Sequence, residues 1–153
     1  MSNEDLKKIK EKAERIYKKK NTIFCPYFNS NIILNADGFH HLQFSARRER
    51  NTAEKILKFK LLPCALKIIG KSGTLQEFRQ TLQPIGKTGK DGFAKTKNVS
   101  YWAFIAIIGE TKQAKVKTIL RQVGDGNIIF WSVMPYSRLK NGQKLYSGDI
   151  EDE

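Results

Sequence analysis

The chain has 153 residues, enough for one ordinary domain with its own core and too few for two. Hydrophobic residues make up 40% of it, which offsets the entropy of ordering the backbone and confines a disordered reading to the ends. Its 28 Lys and Arg stand against 15 Asp and Glu, a formal charge of +13 that exceeds what solubility requires and points to an anionic partner, a polynucleotide first.

From Asp5 to Lys20 the residues Leu6, Ile9, Ala13, Ile16 and Tyr17 recur at helical spacing among Lys and Glu, so residues 1–20 read as a basic amphipathic helix. Lys18, Lys19 and Lys20 suit the negative end of its dipole. A strand is expected over Asn31 to Leu34, closed by a turn at Asn35-Ala36-Asp37-Gly38, and the segment Phe39 to Phe44 reads as alternating. In that segment His40 and His41 point to opposite faces. Asn51 or Thr52 caps a helix through Ile56, Leu57, Phe59, Leu61 and Leu62, with Pro63 interrupting it and Gly70 ending it. Residues Thr74 to Leu82 read as a short helix or turn.

Residues 86–98 hold three glycines and four lysines with almost no apolar periodicity, and are expected to form a mobile basic loop. Three β-rich runs follow: Tyr101 to Ile108, Lys115 to Val123 and Asn127 to Met134. Gly124-Asp125-Gly126 supplies the tight hairpin between the last two. The expected architecture is α+β, with N-terminal helices packed on a C-terminal antiparallel β-meander. Residues 21–138 form the single α+β domain, and residues 139–153 a polar tail.

Several chemistries are disfavoured by spacing. A phosphate-binding loop needs a glycine five residues before Gly-Lys-Ser/Thr, but Gly70-Lys71-Ser72 has Ala65 there and Gly86-Lys87-Thr88 has Thr81. Cys25 and Cys64 form no CxxC pair, and only two histidines occur, so no metal site and no cofactor is expected. No run approaches the roughly 20 apolar residues that span a bilayer. Residues 1–20 lack a signal-peptide core, so the reading is cytoplasmic, without a membrane partner.

The candidate chemistry lies in a few basic and polar residues. His40 and His41 sit beside Arg47, Arg48 and Arg50, a cluster that could serve a phosphate. On the middle C-terminal strand Lys117, Ile119, Arg121 and Val123 share one face. On the next strand Ser132 shares a side with Ile128, Phe130 and Met134, so a hydroxyl interrupts an apolar row. Arg48, Arg50, Lys87, Lys90, Lys95 and Lys97 are the expected nucleic-acid contacts, and Tyr101 is a candidate for stacking on a base.

A helical first part with a His-Leu segment and nearby arginines, followed by a meander ending in Phe130-Trp131-Ser132-Val133-Met134-Pro135, resembles the phage-borne nucleases of the barnase, EndoU, colicin tRNase and RelE superfamily. The likeness spans about residues 30 to 136. It implies small helices on an antiparallel sheet and RNA cleavage without a metal ion. By that resemblance His41 corresponds to the family's histidine, Arg47 to the basic residue after it, and Arg121 and Ser132 to polar residues of the terminal strands. This chain departs in having no evident glutamate base on the meander and no histidine near its end. The implied reaction has His41 or a neighbour deprotonating a ribose 2′-hydroxyl, with Arg121, Arg47 and Lys117 stabilising the charge on phosphorus. RNA is favoured over DNA as partner. The competing reading is a non-catalytic nucleic-acid-binding module of a phage, mobile element or defence system, and an acidic inhibitor or antitoxin protein is compatible with both.

Overall fold

The computed structural model describes residues 3–45, 48–85, 89, 92, 95–108 and 114–136. Arg47, Lys87, Lys90 and the 139–153 tail lie outside them. The first helix, α1 (Asn3–Lys20), carries Glu4 and Asp5 in its first turn and Lys18 to Lys20 in its last, both favourable to the dipole. It buries Ala13 and Tyr17 and ends at Asn21, whose φ of 56° cannot continue a helix. Strands β1 (Thr22–Cys25) and β2 (Ser30–Ile33) form a hairpin, of which only the second arm is legible as a strand in the sequence.

The stretch expected to turn and then alternate is instead a short helix, α2 (Ala36–His41). The Asn35 side chain caps it by accepting from the Gly38 amide at 3.1 Å. A cap needs only one well-placed amide, and here it overrides the alternation of Phe39 to Phe44. His40 and His41 therefore stand on neighbouring sectors of a helix, His40 exposed and His41 buried.

Helix α3 (Thr52–Lys71) is capped by Asn51, which accepts from the Glu54 amide at 2.9 Å, and runs through Pro63 without ending there. Its buried stripe of Phe59, Leu62, Ala65, Leu66 and Ile69 holds it on the sheet against the loss of the proline's amide. Ser72 closes the helix, its amide and hydroxyl both donating to the Ile68 carbonyl at 2.9 and 2.6 Å. Among the described residues no helix is long and apolar enough to cross a membrane.

Most of the stretch Thr74 to Leu82, expected to be a helix or turn, instead belongs to strand β3 (Glu77–Ile85). It pairs with β4 (Lys95–Ile108), which begins six residues earlier than the β-rich run suggests, so Lys95 and Lys97 belong to a strand and not to a loop. Strands β5 (Ala114–Val123) and β6 (Ile128–Pro135) complete the expected meander, and Gly124 adopts the positive φ its hairpin needs. The sheet order is β1-β2-β6-β5-β4-β3, antiparallel except where β2 meets β6 in parallel at Ile33 and Ile129. The fold is α+β.

One sheet face, with Phe104, Val116, Leu120, Phe130 and Val133, forms the main core with α1, α2 and α3. The other bears a second apolar cluster of Val99, Tyr101, Ala103, Ile119 and Met134, with Trp131 and Val123 against it. Lys117 and Arg121 belong to this second face, as the pattern of β5 requires. In β6 Phe130 pairs with Leu120 and Ser132 with the adjacent Ile119, leaving Trp131 as an extra, bulged residue. The bulge reverses the parity of the strand, so Ser132 stands opposite to Phe130 instead of in its row.

Candidate functional site

Trp131 is the centre of the arrangement because the bulge turns its indole out of the regular strand pattern. The His41 ring stacks on it with centroids 4.1 Å apart and planes 18° from parallel. The Arg121 guanidinium lies 4.4 Å from the indole centroid, a cation over an aromatic face. Arg121 Nε also donates to Tyr101 Oη at 3.2 Å, and Gln83 Nε2 donates to the same oxygen at 3.2 Å. Two contacts therefore fix the guanidinium, and among the described residues nothing is hydrogen-bonded to its terminal nitrogens.

Arg50 locks the histidine from its other side. Its Nε donates to the His41 carbonyl at 3.0 Å, and its Nη2 lies 3.1 Å from His41 Nε2. A guanidinium has no lone pair, so Nε2 is the acceptor and the ring proton resides on Nδ1. Burial, and then the charges of Arg50, Lys58, Arg121 and His40, push the His41 pKa down to about 2. His41 is thus a neutral ring whose Nε2 lone pair is committed to Arg50.

The unfolded chain takes up a proton on His41 below its ordinary pKa of 6.5, whereas the native chain does not until about 2. This contribution to stability is complete above pH 6.5 and declines at up to about 1.4 kcal/mol per pH unit as the pH falls. Urea denaturation at about pH 7.5 and 5.5 measures it. His41→Gln should flatten the difference, and an unchanged slope in that variant would assign the acid sensitivity elsewhere.

Behind the bulge, Lys58 of α3 is buried with its Nζ donating to Ser132 Oγ at 2.9 Å and to the Val133 carbonyl at 3.0 Å. Lys58, Leu62, Ala65 and Ile69 form one buried stripe, so a lysine sits where the helical pattern calls for an apolar side chain. That misfit is the signal by which the sequence could have revealed it. Lys58→Met keeps the aliphatic stem and removes the buried donor to Ser132 Oγ and the Val133 carbonyl. A loss of about 2 kcal/mol in unfolding free energy, read from a lowered urea midpoint, is expected, and an unaffected midpoint would show the contact to be dispensable.

No family model, curated protein or solved structure matches this chain. The site is therefore read from its geometry.

Of the residues singled out by sequence, His41, Arg50, Arg121 and Tyr101 come together with Trp131. Tyr101 is buried beneath Arg121, holding the guanidinium and presenting no open face to a base. Ser132 is fully buried and bound by Lys58. Lys117 does not join Arg121: it is buried four residues away on the same strand, ion-paired with Glu77 and 5.9 Å from the Tyr136 ring. Arg48 lies at the surface, its Nη2 2.9 Å from Glu54 Oε1, and Lys95 and Lys97 are exposed on β4. Glu77 reaches this face through β3, a strand that its sequence does not announce. Its register partner Ala103 is small, and it lies on the same face as Lys117 and Arg121. Among the described strand residues it is the only carboxylate.

Proposed function

We propose that this chain is a metal-independent endoribonuclease, of toxin-like or mobile-element type, that binds RNA across the second sheet face and cleaves it by 2′-hydroxyl attack. The observation that carries the reading is the Arg121 guanidinium, held by Trp131 and Tyr101 with no hydrogen bond to its terminal nitrogens among the described residues, in a chain of charge +13. A preorganised cation of this kind is suited to charge that develops on a phosphoryl group.

In the proposed step the ribose 2′-oxygen bonds to the neighbouring phosphorus and the bond from phosphorus to the 5′-oxygen breaks. The products are a 2′,3′-cyclic phosphate and a 5′-hydroxyl end. The Glu77 carboxylate accepts the 2′-hydroxyl proton, and the departing 5′-oxygen takes a proton from water. Arg121 supplies positive charge to the phosphoryl oxygens, while Lys117 orients the Glu77 carboxylate through their ion pair. His41, with Nε2 held by Arg50, is assigned to positioning Trp131 under Arg121 and not to proton transfer. The substrate is RNA in preference to DNA because the attack uses the 2′-hydroxyl. The setting is cytoplasmic, and a protein inhibitor of opposite charge would suit the surface.

Incubating the purified protein with end-labelled RNA in excess chelator, beside Arg121→Ala and Glu77→Gln, tests the proposal. Cleavage by the parent chain with strong loss in both variants is expected; no cleavage by the parent, or equal cleavage by all three, overturns it. One observation favours the second reading, a nucleic-acid-binding module without catalysis: the only buried histidine has its Nε2 lone pair occupied. Salt-dependent RNA binding with no product would establish that alternative.

A further inference from the structure

Strand β3 is the last in the sheet, and among the described residues no strand pairs with its outer edge. Such an edge presents backbone donors and acceptors in the spacing of a strand and is a template for another one. Two of its side chains, Phe78 and Leu82, are 55% and 72% exposed. Four residues apart, they share one face, where the Phe78 ring lies 5.7 Å from Trp102. Pro84 has no amide to offer, so an added strand would be accommodated along residues 77–83.

The opposite face of the same edge carries cations beyond Glu77, whose carboxylate is ion-paired with Lys117. Arg79 stands on it, and the β4 register places Lys97 beside Gln83 and Lys95 beside Ile85. An added strand would therefore meet apolar side chains on one face and cations on the other. We infer that the β3 edge docks an extended segment of a partner protein in which apolar and acidic residues alternate. Its apolar residues would cover Phe78 and Leu82, while its carboxylates face Arg79 and Lys97.

Two other occupants fit less well. A polynucleotide gains from the cations but has no use for the exposed Phe78 and Leu82 as a paired apolar row. A second copy of this chain, paired through its own β3, would add its own Arg79 and Lys97 to the same face, and gathering like charges there is unfavourable. The inference does not depend on the nuclease reading: it rests on the backbone edge of β3 and on Phe78, Leu82, Arg79 and Lys97, and would hold if Glu77 on the same strand had no catalytic part.

The probe is a fluorescent, end-blocked decapeptide of alternating Val and Glu, titrated with the full chain and followed by anisotropy. Binding in roughly the micromolar range is expected, weakened at least about tenfold by Leu82→Lys and by Lys97→Glu. Both positions are exposed, and circular dichroism verifies that the variants fold. The inference is overturned by an absence of binding, by equal binding of a Val/Lys decapeptide, or by binding that Leu82→Lys leaves intact. Sedimentation analysis of the chain alone separates the second-copy occupant: a concentration-dependent dimer dispersed by Leu82→Lys would replace the acidic partner. RNA binding lost in Leu82→Lys would likewise assign the edge to RNA.

Discussion

Replacing Arg121 with alanine should lower RNA cleavage by about two to three orders of magnitude, the scale of removing one preorganised donor from a site of developing charge. The side chain is only partly buried, so the fold should survive the truncation. What is lost is a cation fixed by two contacts, the Trp131 face and the Tyr101 oxygen. Arg121→Lys separates the charge from the geometry. Lysine retains a positive charge but neither stacks as a plane nor donates from a fixed fork, so only partial recovery is expected. Full recovery in the lysine variant would mean that placement is unimportant and that Arg121 merely contributes to the basic surface. The readout is the single-turnover rate on labelled RNA with the unfolding midpoint measured beside it.

Gly38→Ala is expected to be among the most damaging single-methyl changes in the protein. A Cβ on Gly38 would lie 2.1 Å from the Phe130 carbonyl oxygen and 2.9 Å from Tyr17 Oη. Neither neighbour yields easily. The first is backbone of β6, and the second is fixed by its own hydrogen bond to the Asn35 carbonyl at 2.6 Å. To admit the methyl group α2 must lift from β6, which overpacking at this contact puts at on the order of 3 kcal/mol. Because Phe130 directly precedes the bulged Trp131, the same displacement should disturb the His41 stack. The variant should therefore lose stability, seen in urea denaturation, together with the ordered tryptophan environment, seen in near-ultraviolet circular dichroism. A stable variant with an unchanged tryptophan signal would contradict the close approach of α2 to β6.

The long helices and the meander were readable because their patterns are carried by many residues: the helical recurrence from Leu6 to Tyr17, the apolar stripe of α3, and the β-branched runs of β5 and β6. Elements whose existence depends on a few tertiary contacts were not. Strand β3 places its exposed apolar residues at Phe78 and Leu82, without the alternation of a half-buried strand, and is held by the length of β4 beside it. Helix α2 is too short to show a period and depends on the Asn35 cap and on the absence of a side chain at Gly38.

The site divides in the same way. That Lys117 and Arg121 share a face follows from the two-residue repeat alone, but their separation into an ion pair with Glu77 and a stack on Trp131 required the sheet register. Ser132 was assigned to the wrong side because one bulged residue shifts every later position in the strand. Sequence alone places Arg50 with Arg48 as a nucleic-acid contact, whereas it is buried around the His41 backbone and ring. No local pattern distinguishes the two arginines; the difference arises from the turn that follows α2.

The central claim concerns the 2′-hydroxyl, and it is tested most directly by the chemistry of the product. An end-labelled RNA is incubated with the full chain in chelator, beside the same oligonucleotide carrying 2′-deoxyribose at the cleaved position. The account predicts a fragment ending in a 2′,3′-cyclic phosphate from the first and no cut at that position in the second. Cleavage of the deoxy-substituted strand at the same place, or intact RNA throughout with salt-dependent binding, would contradict it.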